Sequence, residues 1–417
     1  MQAPFRAFRS KLGFSRDWYL VLLAACIGVV TAFVAMAFIW LIHEAIHLLE
    51  ELALHSEAHG PTDAADGEAR RGLNWTLAAL LIGVPMIGAL GAGVLVYLLA
   101  SEARGHGVPE VLHAIHRRKS VIKIRVAIAK WLSAVMTIGS GGSAGAEGPI
   151  VQIGSALGSN TGGMLRTNPQ STATLLGCGA AAGIASVFNA PIAGIFFVLE
   201  ILLRDFSVRT FTPIVIASVF SAVVTQGVIG TSDPIFELPW GEREILEAAE
   251  ATGESSLIFT AWELPNYILL GVVAGLVAIA FVRALYWSED VYAELKIHPI
   301  IKPVTGALML GLLGVGYVAV FQPSEAIPPF YSNGYPVIEG LLDPAWYASQ
   351  PTGQLLALLI AITLLKGVAT CMTLGSGGSG GIFAPSLMLG AGVGGTFGSI
   401  VNALDWARHA SPAQYAL

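Results

Sequence analysis

Gly139-Ser-Gly-Gly-Ser-Ala-Gly-Ala-Glu-Gly-Pro149 interrupts an apolar region with small residues and carries one carboxylate near its end, Glu147. Glycines there leave the backbone N–H groups open to approach. Pro149 suits the first turn of a helix, where its missing N–H does no harm. The stretch reads as a break in a membrane segment with a new helix beginning at its end. A helix start presents N–H groups that the helix itself does not pair, together with the positive end of its dipole. That is an anion site, and this one already holds a carboxylate.

A second stretch, Gly375-Ser-Gly-Gly-Ser-Gly-Gly-Ile-Phe-Ala-Pro385, lies on the first without a gap, with seven of eleven positions identical. The offset of 236 holds outside the motif: Lys130 falls on Lys366, Gly154 on Gly390 and Gly158 on Gly394. Small-residue runs align by chance, but a shared lysine inside an apolar segment does not come easily that way. The chain therefore reads as an internal repeat. Glycine-interrupted short segments at matching places in two halves point to a binding site near the bilayer midplane.

Composition agrees. Of 417 residues, 54% are hydrophobic and 12% charged, against roughly 25% charged in soluble domains; mean hydropathy is +0.69. This is a polytopic, all-α membrane protein. The 48 glycines suit close helix packing. No basic domain suggests nucleic acid. Cys26, Cys178 and Cys371 sit in apolar stretches without C-x-x-C spacing and read as small core residues.

The apolar run Trp18–Ile42 is too long for a signal h-region and reads as an uncleaved first span. Arg6, Arg9, Lys11 and Arg16 precede it and place the N-terminus in the cytoplasm. An acidic loop, 50–71, follows outside, and the basic segment 102–125 returns to the cytoplasm. Short apolar pieces flank the first break and Asn189-Ala-Pro191; Phe211–Ile229, Tyr267–Tyr286, Val304–Phe321 and Leu355–Leu374 read as spans. Residues 322–351, rich in Pro, Gly and Tyr, read as partly re-entrant. The organisation expected is a first membrane repeat over 1–230, a polar loop over 231–263 and a second repeat over 264–417. Counterparts of Asn189–Glu200 would begin near position 418, so the second repeat is expected to be incomplete.

Three ordered motifs resemble the CLC family of chloride channels and H+/Cl− exchangers. Gly105-His-Gly-Val-Pro-Glu110 looks like its G-S-G-I-P-E, Gly145-Ala-Glu-Gly-Pro149 like its G-R/K-E-G-P, and Gly381-Ile-Phe-Ala-Pro385 like its G-x-F-x-P. The stretch Gly177–Glu200 matches as well. The resemblance implies a homodimer with one pore per subunit, built from two inverted repeats of tilted and broken helices. It implies that the amides of Ile382 and Phe383 hold a central anion, that amides around Ala146–Gly148 serve an outer site, and that Glu147 is the gate. A helix start favours the carboxylate of Glu147 and a low dielectric favours the neutral acid; the opposition suits a switch.

Departures bear on mechanism. His106 stands where the family has an anion-coordinating serine. Ala146 replaces a basic residue. Ile201 occupies the position of an internal proton-relay glutamate, with Glu200 and Asp205 as neighbours that do not substitute for it. The coordinating tyrosine of the family would lie beyond Leu417. The function expected is chloride transport gated by Glu147, with passive conduction favoured by Ile201 and proton-coupled antiport as the alternative, in a bacterial cell membrane. Lys130 and Lys366 either bond backbone carbonyls or favour anions at long range. His106, His113 and His116 read as loop histidines rather than a metal site. No cofactor is expected, because no βαβ unit flanks the glycine runs. An intramembrane serine protease using Ser140 or Ser143 lacks a histidine in a late apolar span to act as base.

Overall fold

The computed structural model describes residues 18–58, 74–230, 263–321, 327–350, 354–404 and 411–417. The elements are helices: α1 (Trp18–Ala58), α2 (Trp75–Leu99), α3 (Val108–Arg117), α4 (Ile124–Gly139), α5 (Glu147–Met164), α6 (Pro169–Phe188), α7 (Pro191–Phe197), α8 (Val208–Ile229), α9 (Leu264–Glu294), α10 (Ile301–Phe321), α11 (Tyr335–Leu342), α12 (Pro344–Ser349), α13 (Leu355–Gly375), α14 (Phe383–Ala403) and α15 (Pro412–Ala416). Eight described helices are long and apolar enough to cross a membrane. The fold is all-α and polytopic, two inverted repeats of tilted and broken helices.

Two compact units are interleaved along the chain: Met1–Ile42, Leu95–Val135 and Glu147–Ile235 form one, and His43–Val94, Met136–Ala146 and Phe236–Leu417 the other. In the first, α5 lies against α6 with almost nothing between them. A Cβ on Gly154 would sit 2.1 Å from the Gly179 carbonyl oxygen, and a Cβ on Gly179 1.9 Å from that of Gly154. Only glycine permits this approach, the small-residue packing by which helices associate in lipid. The side chain of Asn168 caps α6, accepting from Ser171 N at 2.8 Å. Asn189, left-handed at φ 50°, ends it. Hydroxyls join α8 to its neighbours: Ser221 donates to Ala182 O at 2.7 Å, and Ser218 to Pro191 O at 2.9 Å.

In the second unit the two glycine breaks pair with each other. Gly145 N donates to Gly381 O at 2.8 Å, and Gly381 N to Gly145 O at 2.6 Å. Ser143 N donates to Thr373 Oγ1 at 3.1 Å, and Ser379 N to Thr137 Oγ1 at 3.3 Å. Each contact is the other's image at the offset of 236. Such reciprocity is the mark of a local two-fold. The turns match too: Gly141 and Gly377 have φ of 100° and 101°, a region that glycine enters without steric cost. This is how irregular backbone is tolerated at membrane depth, with its polar groups satisfied by protein.

The two-fold makes a quantitative demand. Thr137→Val and Thr373→Val each strip a buried N–H of its acceptor, at a cost of about 1–3 kcal/mol. Both variants lower the melting temperature of the detergent-solubilised protein by comparable amounts. One silent and one damaging substitution would contradict the pairing.

Several boundaries differ from the sequence reading. α1 runs past Ile42 to Ala58, into the expected acidic loop. Leu49 and Ala53 are buried, so the extra turns pack one face although their other face is charged. Cys178 and Cys371 are buried as expected, whereas Cys26 is exposed. Residues 327–350, within the segment expected to be partly re-entrant, contain α11 and α12. The basic N-terminal cluster, residues 59–71 of the acidic loop and the polar loop up to residue 262 lie outside the described residues.

Candidate functional site

In the first unit, Glu147 is the first residue of α5, with Gly148 and Pro149 completing its opening turn. Its side chain is 5% exposed, and Ala146, just before it, 2%. The loop carrying His106 packs on this turn: a Cβ on Gly107 would lie 2.7 Å from Gly148 O. His106 is half-buried. Gly107, at φ 83°, caps α3, and Pro109 follows in its first turn. Lys130 on α4 is fully buried. Its ammonium donates to Ala103 O at 3.1 Å and to Gly105 O, so it holds the His106 loop in place.

In the second unit, Phe383 is the first residue of α14, Ile382 its cap, and Pro385 its third residue. The start of α5 is thus reproduced in register, with Phe383 in the place of Glu147. Phe383 is half exposed and Ile382 half-buried. Lys366 on α13 is fully buried and donates to Ser332 O at 2.9 Å and Phe330 O at 3.4 Å. Gly334, at φ 81°, caps α11, with Pro336 in its first turn.

The lysines do the same work in both halves. Ala103, Gly105, Gly107 and Pro109 correspond to Phe330, Ser332, Gly334 and Pro336 at a constant spacing of 227. Sequence reasoning missed this second loop, which puts Asn333 at the place of His106. The signal was Gly-x-Pro recurring nine positions out of the main register. Of the two readings left open for the lysines, the carbonyl contacts are present in the structure.

Ile201 lies in a π-helical turn, Val198–Leu203, that continues α7, and is exposed. Glu200 is exposed too. Asp205 is engaged in starting α8: its carboxylate accepts from Ser207 N at 2.9 Å and from Thr210 Oγ1 at 2.7 Å. The Thr210 hydroxyl and the Ser207 amide hold its carboxyl below the usual range. It is a carboxylate that caps the start of α8. His113 and His116 stand exposed on α3, with His116 Nδ1 2.9 Å from Leu112 O of its own helix.

Both helix starts are therefore built as the sequence predicted. Each aims a first turn of amides along its axis. One begins with a carboxylic side chain, Glu147, and the other with an aromatic one, Phe383.

A family profile described as "Voltage gated chloride channel" matches residues 88–417. The chain is 31% identical over 423 residues to "Chloride channel protein CLC-f" of Arabidopsis thaliana, covering 96% of this chain and 48% of that one. It therefore spans about half the length of the plant relative. It is 32% identical over 387 residues to "H(+)/Cl(-) exchange transporter ClcA" of Cronobacter sakazakii, covering 91% of this chain and 72% of the other. Among solved structures it is similar in fold to a slow cyanobacterial Cl−/H+ antiporter, with a TM-score of 0.75 and 20% identity, covering 95% of this chain and 83% of that one. A CLC-type fluoride/proton antiporter aligns with a TM-score of 0.67 and 22% identity, covering 95% and 84%. With its profile match over residues 88–417 and its bacterial relative, the chain belongs to the voltage gated chloride channel family.

Proposed function

We propose that this protein carries chloride across a bacterial cell membrane in exchange for protons, as a homodimer, with Glu147 as the group that alternates with the anion. The observation that carries the reading is the buried carboxylate of Glu147 at the first residue of α5. A small anion entering hydrocarbon loses hydration worth, by idealised Born solvation, tens of kcal/mol. A fixed full charge would trap it. Oriented amides replace water with partial charges and still let the ion leave. By the family resemblance, the amides of Ile382 and Phe383 supply such an environment at the start of α14, and those around Ala146 and Gly148 supply one at the start of α5, where His106 offers a ring N–H.

Ile201 favours passive conduction, because an isoleucine carries no proton. Exchange is the better supported of the two. Several bacterial relatives are named exchangers, and Glu147 is itself a group that binds a proton. The transport reading is tested by chloride efflux from proteoliposomes followed with a chloride electrode. Efflux above that of protein-free vesicles is expected, and equal efflux would overturn it.

A further inference from the structure

His43-Glu-Ala-Ile-His47 on α1 fits the pattern H-E-x-x-H. On a helix this pattern sets two imidazoles four residues apart on one face, the spacing of a pair of zinc ligands. Both histidines are exposed. Their ring centroids are 4.6 Å apart at an interplanar angle of 85°. Two imidazoles that share one tetrahedral zinc, with Zn–N bonds of about 2.0–2.1 Å, hold their centroids about 5 Å apart. The pair thus stands close to a ligating arrangement.

His47 is also oriented for the task. Its Nδ1 lies 3.4 Å from Glu50 Oε2. A carboxylate beside one ring nitrogen draws the proton there and leaves the lone pair on the other, Nε2, for a metal. His55 differs, with its Nδ1 2.9 Å from Glu51 O of its own helix. The surroundings suit a cation: Glu44 and Glu51 are exposed nearby, Glu50 is half-buried, and α1 carries no lysine or arginine. Among the described residues no third His, Cys, Asp or Glu joins the pair. This is therefore not the three-ligand centre of a peptidase, and water fills the remaining positions. Imidazole selects zinc, copper or nickel over magnesium and calcium, which take oxygen ligands.

The place of the pair gives it a consequence. Trp40, exposed one turn earlier, suits the membrane interface, and the basic residues that precede α1 put its far end outside the cytoplasm. On the opposite face of the same turns, a Cβ on Gly139 would lie 2.4 Å from Ala45 Cβ, and one on Gly141 3.4 Å from Leu49 Cδ2. The turns that bear the pair seat the first glycine break.

We propose that His43 and His47 bind a divalent transition-metal ion of the zinc class at the outer end of α1, with Glu50 positioning His47. The site is independent of how chloride movement is coupled. An ion bound only by the folded chain stabilises it, and this one ties down the turns on which the glycine break rests.

The test titrates tag-free protein in detergent with ZnCl2 in competition with a chromophoric chelator. His43→Ala and His47→Ala are each expected to lose one zinc ion per chain relative to the wild type. Glu50→Gln binds that ion about tenfold more weakly, as loss of an orienting partner does, and His55→Ala binds it as the wild type does. These side chains are exposed or half-buried, so the variants fold. ZnCl2 raises the melting temperature of the wild type and not that of the His43→Ala/His47→Ala double variant. Equal zinc uptake by the wild type and the double variant overturns the site, as does wild-type affinity in either single histidine variant.

Discussion

Glu147→Gln abolishes proton coupling and leaves chloride flux independent of pH. On the proposed mechanism the carboxylate and the anion compete for the same helix start in the wild type. As pH falls, the neutral acid takes over and the start is released, so flux rises. For one titrating group the rise is at most about tenfold per pH unit, the factor that 1.36 kcal/mol per unit allows. Glutamine is close to isosteric with the neutral acid and is always uncharged, so the variant runs at the acid-side rate at every pH. Glu147→Ala behaves alike. Flux from proteoliposomes, measured across the acid range, checks this. A Glu147→Gln variant that kept the wild-type pH profile would remove Glu147 from the gate.

Gly154→Ala disrupts the fold of the first unit. The added methyl would stand 2.1 Å from the Gly179 carbonyl oxygen, and backbone cannot swing aside as a flexible side chain can. Overpacking of this kind costs about 1–3 kcal/mol, and more where relaxation is blocked. Gly179→Ala meets the Gly154 carbonyl and suffers equally. Gly390 occupies the repeat position of Gly154, yet a Cβ there meets nothing within 4 Å among the described residues. Gly390→Ala is therefore neutral or stabilising by up to ~1 kcal/mol, the helix-propensity difference. The monodisperse fraction after heating in detergent separates the three variants. Equal tolerance at Gly154 and Gly390 would contradict the packing described for α5 and α6.

The repeat was legible because it is written in identity: two Gly-Ser-Gly-Gly-Ser runs and a lysine in one register. Glu147 and Phe383 as helix-start residues followed from Pro149 and Pro385. The lysine-bound loop at Ser332 was not legible, since it shares only Gly-x-Pro with its counterpart and lies nine positions out of register. The full length of α1 was hidden for a different reason. Apolar count measures what crosses a bilayer, whereas α1 continues as an amphipathic helix whose Leu49 and Ala53 are buried. The contact of Gln152 with Glu102 O could not be foreseen either: it joins residues fifty apart, and no periodicity encodes that.

The central claim is that chloride movement past the start of α5 is tied to protonation of Glu147. It is tested most directly by loading proteoliposomes with high chloride, diluting them into low chloride at equal pH, and recording external pH. Outward chloride flow is predicted to drive protons inward against the gradient that develops, so external pH rises, and to do so only while Glu147 is intact. Chloride efflux with no movement of protons would contradict it.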